Sequence, residues 1–158
     1  KNVIKVPGGK ERQDSVFNAL KSIQNCDIVV VHDAARPFAT EEMFENGIKN
    51  VINRWDGSIT AIKARDTIKE VENNVVNKTL DRRNLYMIQT PQVFDFKKLY
   101  KAHINARKMG FYATDDAALM ETEGYKITIN EGSILNFKIT TKTDLLLANC
   151  IVNKKQFL

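Results

Sequence analysis

Asp33 and Arg36 stand three residues apart in the run His32-Asp33-Ala34-Ala35-Arg36-Pro37-Phe38, directly after the four aliphatic residues Ile28–Val31. A carboxylate in such a loop can meet a metal ion or a hydroxyl, and a guanidinium can fork onto a phosphate. The aliphatic run, with no polar alternation, suits a strand covered on both faces, as in a parallel sheet between helices. Ligands of open α/β sheets bind beyond the carboxyl ends of the strands, where this pair falls. The competing reading is an Asp that caps a helix with a surface Arg beside it. His32 is a poor partner for Asp33, because neighbours on a strand face opposite ways.

Other polar residues collect at similar junctions: Gly8-Gly9 with Arg12 and Ser15, Asp66 with Thr67, Asp81 with Arg82, Thr114 with Asp115, and Lys138. The set contains cations, carboxylates and hydroxyls but no nucleophile paired with a base. Such a set suits phosphoryl or nucleotidyl transfer, in which positioning and charge neutralisation do most of the catalysis.

The elements that must position these groups alternate. Residues 3–6 read as a short strand broken by Pro7-Gly8-Gly9, and residues 11–24 carry a helical stripe of Val16, Leu20 and Ile23 with Phe17 beside it. After the strand at 27–31, Thr40 with Glu41 and Glu42 predicts a helix start, with Phe44, Ile48, Val51 and Ile52 turned inward. A strand follows over 58–63. Residues 67–80 pivot on Asn73-Asn74, two residues that tolerate positive φ, and read as a short polar hairpin leaning on something outside the central sheet. Residues 85–89 form a strand ended by Thr90-Pro91-Gln92. Asp95 caps a helix with Phe96, Leu99, Tyr100 and His103 on its stripe, His103 as a packing residue. Thr114 opens a short helix closed by Gly124. Strands at 125–129 and 136–139 and a terminal helix from Thr141 or Thr143 complete an α/β pattern with an attached hairpin.

A length of 158 residues gives one domain. The net charge of +5 permits an anionic ligand, but the 24 basic residues are dispersed and lack interleaved aromatics, so nucleic acid is not expected. No stretch approaches a membrane span. Cys26 and Cys150 match no metal or redox spacing and read as small buried hydrophobes in a reducing compartment, the cytoplasm. The chain begins Lys-Asn-Val-Ile rather than with Met, so it does not report on a targeting segment.

The strings VPGGKERQDSV (6–16), VHDAARPF (31–38), ARDTIKEV (64–71), LDRRNLYMIQTPQVF (80–94), TDDAALMETEG (114–124) and NFKITTKTDLLLA (136–148) together resemble the 2-C-methyl-D-erythritol 4-phosphate cytidylyltransferases, motif by motif and in order. The resemblance implies a three-layer, Rossmann-like nucleotidyltransferase sheet, mainly parallel, with a protruding β-hairpin arm. Residues 1–158 would form one partial domain, with the arm at about 67–82. The implied reaction joins CTP to methylerythritol 4-phosphate and releases pyrophosphate with Mg²⁺ or another divalent cation. Carried onto this sequence, the family pattern puts Gly9, Lys10 and Ser15 beside the cytosine. It puts Asp33, Arg36 and Thr114 on the polyol phosphate, with Asp33 also a metal ligand, and gives Lys138 the neutralisation of charge on the reacting phosphates. Thr67 and Arg82 would complete the neighbour's site across the two-fold axis of a homodimer. Position 10 holds a lysine where the family often has an acid, which is tolerable if the base is read there by main chain.

The family's glycine-rich phosphate loop, expected after a first strand, has no counterpart here, since Gly8-Gly9 is too short. The chain therefore resembles the family without its first third and initial strands, and these residues alone are expected to show little activity. An apolar sheet edge and oligomerisation are expected with it. Two other readings stay open: a ribitol-5-phosphate cytidylyltransferase, against which the Ala34-Ala35 spacing argues, and a basic, non-catalytic binding module.

Overall fold

The computed structural model describes residues 3–155. A four-stranded sheet is built from β1 (Ile28–Val31), β2 (Gly57–Lys63), β5 (Tyr86–Asp95) and β6 (Ile127–Glu131), in the order β1-β5-β2-β6. β5 runs antiparallel to both its neighbours, and β2 pairs parallel with β6. Three strands thus point one way and β5 alone opposes them. The sheet is mixed, and its shared carboxyl edge presents the loops that follow β1, β2 and β6.

Helices cover both faces. α2 (Glu41–Asn53) lies on one, and α1 (Arg12–Lys21), α3 (Phe96–Met109) and α4 (Asp116–Thr122) lie on the other. The core is on this second side, where Leu20, Ile59, Phe94, Leu99, Leu119 and Met120 are buried together. Burial of apolar surface, at about 25 cal/mol per Å², makes that cluster a main source of stability. The α2 face is closed by polar pairing instead. Asn50 Nδ2 donates to Ser58 Oγ, which donates to Asn130 Oδ1, and Asn130 Nδ2 reaches Thr60 Oγ1 and the Met43 carbonyl. Gly47 lets α2 approach the sheet, since a Cβ there would fall 2.6 Å from Val93 Cγ2.

Several expectations change. Residues 3–6 form no strand; Val3 and Ile4 are exposed, and no described strand offers them a partner. Residues 136–139 form none either, because among the described residues their one backbone–backbone hydrogen bond to another segment is from Ile139 N to the Ala35 carbonyl, which makes no ladder. Thr90-Pro91 does not end β5. The β2–β5 register shifts between Ile59 and Ala61, and the proline falls in that irregularity, where the ladder asks no N–H of it. Of the expected inward face of α2, Phe44, Ile48 and Val51 are half-buried and Ile52 is exposed; Met43 and Gly47 are the buried positions. Cys150 is exposed and Cys26 half-buried, so neither packs as a core hydrophobe.

β3 (Lys69–Glu72) and β4 (Val75–Thr79) make a separate two-stranded sheet, with Asn73 and Asn74 at φ of 49° and 66° in its turn. Every residue of both strands is exposed. The chain closes with α5 (Lys142–Lys155), where Thr141 Oγ1 accepts from Asp144 N and the Asp144 carboxylate accepts from Thr140 N and Thr141 N. Those bonds hold the Asp144 carboxyl down at about 2.

Candidate active site at the carboxyl edge of the sheet

Arg12, Asp33, Arg36, Thr114, Asp115 and Lys138 face one cleft of about 320 Å³, floored by Gln89, Thr90 and Gln92. Residues more than a hundred positions apart in sequence meet there because β1 ends, α1 and α4 begin and the segment after β6 passes at the same rim. Asp33 is the centre. Its Oδ2 lies 3.0 Å from Lys138 Nζ and 3.6 Å from Arg36 Nε, and its Oδ1 lies 3.8 Å from Arg12 Nε. Burial disfavours its charge, but the bond from Lys138 and the charges of Lys138, Arg12 and Arg36 outweigh that and hold its pKa below 3.8.

Hydrogen bonds fix the loop carrying Asp33 and Arg36. Thr90 Oγ1 accepts from Asp33 N at 3.0 Å and so turns its own hydrogen to His32 Nδ1, also at 3.0 Å. His32 Nε2 is then the protonated nitrogen and donates to the Arg36 carbonyl at 3.1 Å. His32 therefore braces the loop and makes no pair with Asp33. Arg36 Nη1 donates to the Asn136 carbonyl, and Asn136 Nδ2 donates to Gln89 Oε1 and the Thr90 carbonyl. Together with the Ile139–Ala35 bond, these ties bring Lys138 beside Asp33 although its segment is not a strand.

Two buried polar atoms on the cleft wall have no partner among the described residues: Arg36 Nε, a donor, and Gln92 Oε1, an acceptor. Orphaned buried groups are costly and ask for an explanation. A polyhydroxylated anion offers one to each, an oxygen to the guanidinium and a hydroxyl to the amide.

The remaining sequence candidates lie elsewhere. Gly9 and Ser15 form a turn before α1, in which Gly9 N donates to Ser15 Oγ at 2.9 Å and Ser15 Oγ lies 3.2 Å from the Glu11 carbonyl. A side chain at Gly9 would collide with Asp14. Lys10 is exposed on the same turn. None of the three lines the cleft, although Arg12 on the adjoining helical turn does. Thr67 is exposed just before β3, and Arg82 opens a one-turn 3-10 segment and donates to the Arg65 carbonyl. Neither reaches the cleft. A second, more apolar hollow of about 670 Å³ adjoins it, sharing Arg36, Ile88, Gln89 and Lys138 and adding Asp66, Ile68 and Phe137.

Sequence reasoning missed Gln92, Asn136 and Asp116. Asp116 had a signal, the Thr114-Asp115-Asp116 run: one acid caps α4 by accepting from Ala118 N, and the next turns inward. For metal binding, no three His, Cys, Asp or Glu side chains cluster among the described residues. The cleft offers a hard cation Asp33 alone, since Asp115 is committed to its cap and to Gln92 Nε2. That donor set fits Mg²⁺ where phosphates supply most of the ligands.

The family model of 2-C-methyl-D-erythritol 4-phosphate cytidylyltransferase matches residues 1–154. The chain belongs to this family. It is similar to the cytidylyltransferase of Dictyoglomus thermophilum, 47% identical over 96% of this chain and 67% of that one. It is also similar to that of Clostridium acetobutylicum, 44% identical over 94% and 65% respectively. Among solved structures it resembles the Thermus thermophilus enzyme, with a TM-score of 0.85 and 32% identity over 92% of this chain and 71% of that one. The 4-diphosphocytidyl-2C-methyl-D-erythritol synthase of Anaerococcus prevotii also scores 0.85, at 36% identity over 92% of this chain and 66% of that one. The chain spans about two-thirds of the length of these curated relatives, 65% and 67%. The α/β nucleotidyltransferase fold expected from the motifs is thereby shown.

Proposed function

We propose that this cytidylyltransferase-family chain carries the polyol-phosphate half of a site that condenses CTP with 2-C-methyl-D-erythritol 4-phosphate, giving 4-diphosphocytidyl-2-C-methyl-D-erythritol and pyrophosphate. The observation that supports it best is the convergence of Arg36, Lys138 and Arg12 on one carboxylate, beside an unpaired buried donor and acceptor. A phosphate monoester oxygen attacks the α-phosphorus of the nucleotide, and the bond to the bridging oxygen of the leaving pyrophosphate breaks. The second pKa of the monoester is about 6, so it arrives ionised and asks no base of the protein. This agrees with a cleft rich in cations and without a nucleophile–base pair.

In this reading Arg36 and Thr114 hold the polyol phosphate, Asp33 accepts from its hydroxyls, and Lys138 neutralises charge on the reacting phosphates. Asp33, together with substrate phosphates, would hold Mg²⁺, which would supply further neutralisation of the triphosphate. Gly9, Lys10 and Ser15 border the cytosine. The hairpin arm, with Thr67 and Arg82, pairs two copies and completes the neighbour's site, its exposed Val71, Val75 and Val76 giving the apolar contact. No described helix is long and apolar enough to cross a membrane, and the cytoplasm is the proposed location.

Isothermal titration of the chain with methylerythritol 4-phosphate and Mg²⁺ tests the reading. Saturable binding, weaker for ribitol 5-phosphate, is expected. Absence of binding, or preference for ribitol phosphate, contradicts it.

A further inference from the structure

The Asp116 carboxylate is the most deeply buried charge near the cleft, with 1% of its side chain exposed. It begins α4, and its two oxygens are both taken. Oδ1 accepts from His103 Nε2 at 3.0 Å, and Oδ2 accepts from Arg12 Nη1 at 2.7 Å. Burial opposes its charge, yet the bonds and charges of His103 and Arg12 keep its pKa below 3.8. His103 is itself fully buried and stacks on Phe17 at 5.9 Å, and Phe17 belongs to α1, the helix that carries Arg12. The guanidinium, the carboxylate and the imidazole are thus braced against one helix at two points.

Arg12 is only partly consumed by this. Among the described residues Nη1 alone makes a hydrogen bond, while Nε lies 3.8 Å from Asp33, beyond hydrogen-bonding reach. The side chain keeps 37% of its surface exposed and lines the cleft with Asp33, Thr114 and Lys138. A tie made only to fasten α1 to α4 would commit the fork to its carboxylate. Here one edge is pinned to a buried anion and the rest of a five-donor group faces the place where phosphate is to sit.

We propose that Arg12 is a further anion-binding residue of this cleft, contacting a phosphate of the bound substrate, and that Asp116, held by His103, is its positioning residue. The inference rests on the reading of the cleft as a polyol-phosphate site. It extends the cation set from Arg36 and Lys138 to a third group, carried by α1. It also gives the buried carboxylate and imidazole a task in recognition rather than in folding alone.

The probe is methylerythritol 4-phosphate titrated into the 158-residue chain and its variants. Arg12→Gln is expected to weaken binding about ten- to a hundredfold, as for loss of a charge-assisted hydrogen bond. Arg12→Lys, which keeps the charge but not the fork, recovers part of that loss. Asp116→Asn is expected to weaken binding about five- to tenfold, and the double variant Arg12→Gln/Asp116→Asn to bind no worse than Arg12→Gln alone. That non-additivity is the mark of one residue acting through another, which a purely structural role does not produce. If Asp116→Asn fails to fold, His103→Gln takes its place in the same cycle. Unchanged binding in Arg12→Gln overturns the proposal while the parent reading stands. Additive losses in the cycle overturn the positioning role, and failure of the unaltered chain to bind overturns the parent reading and this inference together.

Discussion

The cleft and the hairpin arm are built on opposite terms. Around Asp33 nearly every polar group is tied within the chain: His32 to Thr90 and the Arg36 carbonyl, Asn136 to Gln89 and Thr90, Lys138 to Asp33, and Arg12 to Asp116. The arm has two strands, all of whose residues are exposed, and its three valines face outward. An isolated hairpin of this kind is marginal in water. The difference teaches where each region's order comes from. The cleft is preorganised by the fold, so its geometry holds before a ligand arrives. On the proposed function, the arm draws its support from contact with a second copy of the chain.

The comparison breaks most severely if the sheet beneath the cleft is loosened. Phe94 is fully buried in the core, and Phe94→Ala is expected to cost about 3–5 kcal/mol in urea unfolding, taking ligand binding with it. Lys138→Ala comes next: its side chain is 42% exposed, so losing its pair with Asp33 costs no more than about 1 kcal/mol of stability while affinity for methylerythritol 4-phosphate falls about tenfold or more. A joint loss of both would make Lys138 a structural residue.

Acid separates the two regions in another way. Asp33 and Asp116 have folded-state pKa values below 3.8, so the stability they contribute is complete above about pH 4 and is lost as pH falls through the lower folded values. Thermal melts between about pH 7 and pH 2 are expected to hold level to about pH 4 and then fall, with a shallower fall in Asp116→Asn. A decline starting above about pH 5 would point to other groups. The smallest effect on folding belongs to the arm. Val76→Asp is expected to change stability by no more than about 0.5 kcal/mol, and yet to abolish self-association in light scattering. Association that survives the substitution would place the interface elsewhere.

The sequence made the arm legible because two adjacent asparagines at positive φ leave few alternatives to a tight turn. It made α3 legible through Asp95, which does accept from Lys98 N. It misled at Pro91, since a register irregularity that accommodates a proline depends on the partner strand and not on local residues. Residues 136–139 misled for a related reason: an apolar alternation predicts a strand only where a neighbour is free to pair. Asp33, Arg36, Thr114 and Lys138 could be named from motif and strand-end position, and they share one cleft. The braces behind them could not. Asn136, Gln92, His103 and Asp116 are buried polar residues whose partners lie between 13 and 104 positions away; the Thr114-Asp115-Asp116 run flags an acid, but no local pattern tells which distant residue it meets.

The central claim is that the rim around Asp33 is where the polyol phosphate sits, the arm only completing the site of a neighbouring copy. Amide and side-chain NMR shifts of the labelled chain, followed during titration with methylerythritol 4-phosphate, test it most directly. The account predicts saturable shifts at Arg12, Asp33, Arg36, Thr114 and Lys138, with Val71, Val75 and Val76 unmoved. Shifts confined to the hairpin, or none at the rim at saturating ligand, would contradict it.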